Sequence, residues 1–316
     1  MESLVVERGD GPPAVAVVGS ANVDLSIQVP TIPAPGETVL GGDVLRGPGG
    51  KGANQAVAAA RLGASTAFVG RVGDDDGGRW LRQRLAADGV DVRPLLTSHD
   101  TATGLAVIAV DAAGENSIVV ASGANGEVTA TDVSAVGALV DGAAVALTQL
   151  EIPDDAVAAV AACAAGRRIL NPAPARPGTP VDGFDIVVPN RGELAMLVGG
   201  EETAEPATVV DQARSVPAPV VVITLGAQGA MVVFGEPPAG GGPDVVSLPA
   251  MPVTAVDTTA AGDSFCGALA VALAEGAEVV PAVGWAIRVA GRTVMARGAQ
   301  DSLPTRAAVG GWADGR

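Results

Sequence analysis

The stretch VDTTAAGDSFCGALAVALAEG, residues 256–276, holds two carboxylates, Asp257 and Asp263, bracketing small residues ahead of an alanine-rich run. The run predicts a helix. The small residues before it let backbone amides converge at the helix N-terminus, where the dipole also favours negative charge. Such an anion hole suits the oxygens of a transferring phosphoryl group. Asp263 beside it is placed to accept the proton of an attacking hydroxyl. The same pattern also describes an ordinary aspartate capping a helix.

Residues 47–56, GPGGKGANQA, contain Lys51, the only lysine of a chain whose other 18 basic residues are arginine. Glycine beside lysine suggests a Walker-type phosphate loop, which needs glycine five residues before the Gly-Lys pair and Ser or Thr after it. Leu45 and Gly52 occupy those positions, so the loop is not of that type. What is left is a tight turn exposing amides, with Lys51 and Asn54 at the head of a helix as donors to hydroxyls or a phosphate. A solvated lysine on a turn is the plainer alternative.

GSANVDL, residues 19–25, places Asn22 and Asp24 after a buried strand, where open α/β sheets commonly hold ligand groups. A carboxylate accepts two sugar hydroxyls while an amide both donates and accepts, so the pair is a polyol grip; local Asx turns are the alternative. Other strand ends carry Glu151 in ALTQLE, Asn190 and Glu193 in VVPNRGE, and the glycine-bounded turn TLGAQG, residues 224–229. Asn190 and Glu193 share a face of the first helical turn and could hold hydrated Mg²⁺ and a phosphate through water. Glu193 is equally a capping-box partner.

These residues need a scaffold, and the sequence outlines one. AVAVVGS, STAFVGRVG, AAVALTQL, RRILNPAP, FDIVVPN and APVVVITLG are short apolar runs separated largely by helical segments such as GGKGANQAVAAARLGA and PDDAVAAVAACAAG. Strands apolar throughout and alternating with helices predict a mainly parallel, Rossmann-like sheet covered on both faces. Segments 23–48 and 101–123 break the rhythm with strands of their own and a DAAGEN turn. They predict a small extra β-sheet, a lid; antiparallel edge strands of the main sheet are the alternative. A Gly/Pro-rich loop inside VVFGEPPAGGGPDVVSLPA predicts a further hairpin. Residues 14–316 are expected to form a single domain behind a tail of residues 1–13.

Composition excludes several classes. A formal charge of −16 repels nucleic acid and anionic membrane surfaces. Aromatics make up 2% of the chain, so the core is expected to consist of Ala, Val, Leu and Ile. Cys163 and Cys266 lack metal-ligand spacing and read as small buried hydrophobes. The single histidine, His99, reads as a loop residue and leaves no material for a His-dependent triad. MESLVVERGDGPP does not have the form of a signal peptide, and no long uncharged apolar run predicts a membrane span, so the expected location is the cytoplasm.

In this order, GSANVD, PGETV, GGKGANQA, SGAN, QLE, NPAPAR, TLGAQG and VDTTAAGDSFCGAL resemble the ribokinase (PfkB) family of sugar and nucleoside kinases, from about Val15 to Pro304. The resemblance implies transfer of the γ-phosphoryl group of ATP to the 5-hydroxyl of D-ribose. It implies Asp263 as general base and Ala260, Ala261 and Gly262 as the anion hole. Asn22, Asp24, Gly50, Lys51, Asn54 and Glu151 would hold the sugar. Asn190 and Thr224, Leu225, Gly226, Ala227, Gln228 and Gly229, with Gly262, would line the nucleotide site. Glu193 would stand near Mg²⁺, and Asp257, Thr259, Thr293, Ala296, Gly298 and Ser302 would surround K⁺. A homodimer through the lid sheets is implied as well. Two positions depart from the family pattern: Ala260 replaces a common glycine, and Ile287 falls where a polar residue often approaches the nucleotide. Kinases for deoxyribose, another pentose, fructose or a nucleoside are the nearest rivals, and a non-catalytic sugar sensor is the distant one.

Overall fold

The computed structural model describes residues 11–237 and 241–315, so most of the expected tail lies outside the described residues. Among the described residues there are thirteen strands: β1 (Val15–Val18), β2 (Asn22–Gln28), β3 (Val44–Gly49), β4 (Thr66–Gly73), β5 (Leu95–Ser98), β6 (Gly104–Val110), β7 (Asn116–Ala121), β8 (Val145–Gln149), β9 (Arg167–Asn171), β10 (Ile186–Val187), β11 (Val220–Thr224), β12 (Ala230–Phe234) and β13 (Val245–Leu248). The helices are α1 (Lys51–Arg61), α2 (Asp76–Ala87), α3 (Ala130–Ala135), α4 (Gly137–Asp141), α5 (Asp154–Ala161), α6 (Arg191–Val198), α7 (Pro206–Arg214), α8 (Ala261–Ala274), α9 (Val279–Thr293) and α10 (Arg306–Val309).

Nine strands form one sheet in the order β13-β12-β11-β10-β9-β8-β1-β4-β5. From β11 to β5 every pairing is parallel, and β12 and β13 extend it antiparallel as the expected hairpin. The apolar runs are apolar throughout because both faces are covered. Val15, Val17, Val145, Leu147, Ile169 and Ile186 face a core shared with α1, α2, α8 and α9. Their neighbours Val18, Ala146, Leu170 and Val187 face a second core with α3, α5, α6 and α7. That is the period of two along each strand. Burying each of these Val, Leu and Ile side chains is worth about 1.5–3 kcal/mol against leaving it in water.

The segments that broke the rhythm form a separate four-stranded sheet, order β3-β2-β6-β7. The β6–β7 turn is the DAAGEN segment, where Asp111 Oδ1 accepts the N–H groups of Ala113 and Glu115 at 2.9 and 3.0 Å. The Arg46 guanidinium of β3 lies 4.4 Å from the Trp80 ring centroid of α2, joining this sheet to the main layer. Every residue of β7 is exposed. Edge strand β5 lies outside the sequence reading, since Leu95–Ser98 is short and half polar. Cys266 is buried but Cys163 only half-buried, a correction to the paired expectation. His99 is exposed, with Nδ1 3.5 Å from Asp74. Among the described residues no helix is long and apolar enough to cross a membrane.

Candidate active site

The chain leaves β1 toward β4 and β5 on one side, and β8 leads to β9, β10 and β11 on the other. The β1/β8 boundary is therefore a topological switch point, which opens a crevice at the C-terminal strand ends. Ser20, just past β1, donates its hydroxyl to Glu151 Oε2, just past β8, at 2.5 Å. The Lys51 N–H, at the start of α1, donates to the same oxygen at 3.0 Å. Glu151 thus ties two strand ends to a helix N-terminus, where a carboxylate is electrostatically favoured.

The tight approach of these segments demands glycine. Gly50 has φ +87°, and a Cβ there would sit 2.7 Å from Ala21 Cα and 2.8 Å from Asn22 N. A Cβ on Gly49 would overlap the Asp24 carboxylate itself. Asn22 is buried, and its Oδ1 accepts from Asn125 Nδ2 at 2.7 Å, an orientation that directs the Asn22 amide N–H groups elsewhere. Asp24 Oδ1 is fully buried and has no hydrogen-bond partner. Burial, reinforced by the charges of Glu151 and Asp263, raises the Asp24 carboxyl to about 7. An orphaned acceptor of this kind matches a hydroxyl donor.

Helices α1 and α8 cross closely at Gly267, where a Cβ would lie 2.7 Å from Ala58 Cβ and 2.9 Å from the Gln55 carbonyl. One turn earlier on the same face of α8 stands Asp263, buried against α1. Its Oδ2 accepts from Asn54 Nδ2 at 2.9 Å and its Oδ1 from Gln55 Nε2 at 3.1 Å. Asp263 is the third residue of α8, not its cap: the cap is Ala260, whose φ of +59° is left-handed. Ala260 is the one described non-glycine residue with positive φ. That turn gives the Ala261 N–H to Thr258 O at 3.2 Å and leaves the N–H groups of Gly262 and Asp263 without an acceptor among the described residues.

A cleft of ≈ 240 Å³ faces these amides, lined by Lys51, Asn171, Ala173, Asn190, Glu193, Thr224, Ala260, Ala261, Gly262, Asp263 and Cys266 among others. Lys51 is half-buried in it. Burial alone would lower its ammonium, but Asp263, Glu151 and Glu193 outweigh that and hold it above its ordinary value. A second cleft of ≈ 350 Å³ shares Asn190 and Thr224 with the first and adds Arg191, Gly192, Glu202, Leu225 and Gly226. Ala227 and Gln228 lie exposed on the turn that follows, and Gln228 is hydrogen-bonded to Arg191. Gly229, φ +97°, closes that turn 2.6 Å (from its notional Cβ) beneath Ala250 N. Ile287 is buried among core residues of α9.

Asn190 and Glu193 form the capping box of α6, each side chain accepting the other's N–H at 2.8 Å. Burial pushes the Glu193 carboxyl up, opposed by the Asn190 N–H and by Lys51. Glu193 also lines the first cleft, where its carboxylate fits an outer contact to hydrated Mg²⁺. Asp257 accepts the Thr259 and Gly298 N–H groups at 2.9 Å each. Burial would raise its carboxyl, but the hydrogen bonds from Thr259 and Gly298 bring it below the ordinary range. The Thr293 and Ser302 hydroxyls donate to Val289 O and Ala299 O, and exposed Ala296 gives its N–H to Thr293 O.

The sequence reading gave no role to Ser20, Gln55, Gln149, Asn171 or Gln300, which join the same polar cluster. The signal was present as lone amides at the ends of apolar strands, Gln149 closing β8 and Asn171 closing β9.

The sequence matches the family described as pfkB family carbohydrate kinase over residues 13–306. A ribokinase of Bacillus subtilis is 40% identical over 299 residues, covering 92% of this chain and 96% of that protein. A bifunctional ribokinase/ribose-5-phosphate isomerase A of Fructilactobacillus sanfranciscensis is 38% identical over 306 residues; this chain spans only 55% of its length and 93% of the chain is covered. The structure of Arabidopsis thaliana ribokinase complexed with ribose and ATP superposes with a TM-score of 0.82 at 32% identity, covering 94% of this chain and 97% of that one.

Proposed function

The chain belongs to the pfkB carbohydrate kinase family and is an ATP-dependent sugar kinase, and from that premise we propose that it phosphorylates D-ribose at the 5-hydroxyl. The observation that carries the reading is Asp263, its two oxygens held by Asn54 and Gln55, beside the open N–H groups of Gly262 and Asp263. The sugar's O5 attacks the γ-phosphorus in line, the bond from that phosphorus to the β–γ bridging oxygen breaks, and the hydroxyl proton passes to Asp263. Developing negative charge on the phosphoryl oxygens falls toward the amides and the N-terminus of α8. Ala260, whose left-handed turn aims those amides, and Ala261 complete the rim.

Asn22, Asp24, Gly50, Lys51, Asn54 and Glu151 form the sugar side: the orphaned Asp24 oxygen accepts hydroxyls, and Lys51 donates from the helix head. Asn54 contacts Asp263 and Gln300, so its sugar contact would be shared with its hold on the base. Asn190 and the turn Thr224–Gly229 form the nucleotide side, supported by the second cleft. Glu193 would hold Mg²⁺ through water, and Asp257 with Thr259, Thr293, Ala296, Gly298 and Ser302 would hold K⁺. Such cations supply positive charge to the phosphates and to the anion hole. The four-stranded sheet acts as a lid that keeps water from competing as acceptor. Its exposed strand β7, with Ile118, Val119 and Val120, is the surface through which two copies pair.

ADP release with ribose, deoxyribose, fructose and adenosine, each with and without K⁺, tests the reading. Ribose is expected to give the highest kcat/KM. Turnover of adenosine with none of ribose would refute it. Asp263→Asn is expected to lower kcat by orders of magnitude with sugar affinity kept; near-normal turnover removes Asp263 from the base role.

A further inference from the structure

Asp263 does not stand alone: its carboxylate is the end of a buried chain of amides that runs back to the central sheet. Gln55 Nε2 donates to Asp263 Oδ1 at 3.1 Å and to Asn171 Oδ1 at 3.0 Å. Gln55 Oε1 accepts from Gln149 Nε2 at 2.6 Å. Asn171 Nδ2 donates to the Val188 carbonyl at 3.0 Å. Gln55 and Gln149 are completely buried.

The chemistry fixes every orientation in this chain. A backbone carbonyl only accepts, so Asn171 must turn its N–H₂ to Val188 and its oxygen to Gln55. Gln55 must then present its N–H₂ to Asn171, which is the same edge that meets Asp263, also an acceptor when ionised. Its remaining oxygen needs a donor, and Gln149 supplies it. Two strand ends, β8 and β9, therefore dictate which way a helix side chain faces the carboxylate.

Gln149 bears a cost that its packing does not explain. Its own Oε1 is buried without a partner, an acceptor taken from water with no donor in return. A Cβ at Gly19 would overlap that oxygen, so glycine at 19 leaves the space in which the glutamine lies. An apolar residue would relieve the orphaned oxygen; what it would lose is the single donor to Gln55.

We infer that Gln55 is the positioning residue of Asp263, and that Gln149 and Asn171 lock Gln55 so the carboxylate meets the sugar hydroxyl in one orientation. This rests on the base role proposed for Asp263. The test compares Gln55→Met, Gln149→Met and the double variant by kcat and KM against pH. It adds the ¹³Cγ chemical shift of Asp263 at one fixed pH, assigned by its loss in Asp263→Asn. A donor removed from a carboxylate no longer favours its ionised form. Gln55→Met is therefore expected to lower kcat about tenfold, with both KM values within about twofold of the wild type. The acid limb of kcat should move to higher pH and the ¹³Cγ chemical shift should change.

Gln149→Met, which bonds to Gln55 and not to Asp263, should move both in the same direction by less. The double variant should match Gln55→Met, because the two act in series. Acid limbs and ¹³Cγ chemical shifts at their wild-type positions in folded variants would overturn the inference, as would losses that simply multiply. If Gln55→Met does not fold, Gln149→Met decides on the same readouts. The ¹³Cγ chemical shift is read without turnover: if Asp263→Asn stays active while that shift still changes in Gln55→Met, the base role fails and the positioning role stands.

Discussion

Replacing Asp24 by asparagine should make the ligand-free protein more stable while abolishing its grip on sugar. The Asp24 carboxyl is raised from 3.8 to about 7, by burial first and by Glu151 and Asp263 second. A group with a raised native value leaves folding unpenalised below its unfolded value. The penalty then accumulates as pH rises from about 4 through 7 and is complete above it. At 1.36 kcal/mol per pH unit the full penalty is about 4 kcal/mol, an upper figure because part of the side chain reaches solvent. For a chain of 316 residues, an unfolding entropy near 2.1 cal/mol/K per residue converts this to a rise of about 6 °C in Tm. Thermal unfolding of wild type and Asp24→Asn from pH 4 to 8.5 measures it. The curves should coincide near pH 4, diverge through pH 7 and stay apart above it. Ribose should raise the wild-type Tm and leave the variant's unchanged. A variant that melts at or below the wild-type temperature at pH 8 refutes the reasoning, since it means the buried charge is already compensated.

Sugar hydroxyls donating to Asp24 favour its ionised form, so ribose binding should release a proton and tighten up to about tenfold from pH 6 to pH 8; calorimetry in buffers of different ionisation enthalpy reads both. Lys51→Arg should be poorly tolerated despite retaining the charge, because a forked guanidinium does not replace an ammonium set among Asp263, Glu151 and Glu193; unchanged kcat and ribose KM would make Lys51 a bystander. Gly50→Ala forces a Cβ to within 2.8 Å of backbone at a φ of +87°, so it should cost more than about 1 kcal/mol and weaken ribose binding; denaturant titration and KM check it. Val119→Lys on the exposed strand β7 should shift the sedimentation profile from dimer to monomer, and an unchanged profile places the contact elsewhere.

The parallel sheet was legible because burial on both faces leaves unbroken apolar runs, and the helices because glycine and alanine patterns bracket them. GPGGKGANQA and VDTTAAGDSFCGAL marked the two helix heads, and failed Walker spacing at Leu45 and Gly52 had already separated Lys51 from a phosphate loop. β5 escaped because Leu95–Ser98 has too few residues to show a period. The separate sheet was readable as a break in rhythm, and the structure sets it apart from the main sheet as expected; its strand order was not readable, since a strand's pattern does not name its neighbour.

Residue types and local order along the chain determined which segments are strands, which are helices, and which residues could do chemistry. Only the tertiary structure decided what those residues touch. Asn54 and Gln55 are more than 200 positions from Asp263 in the chain, yet the close crossing of α1 and α8 at Gly267 brings their amides to its two oxygens. Capping chemistry for Glu193 was a local matter and stood in the sequence; the raised carboxyl of Asp24 was not, because desolvation and the fields of Glu151 and Asp263 arise only once three distant segments close around it. Local propensity acts between neighbours in sequence, whereas burial and charge act through space, and the candidate site is made almost wholly of the second kind.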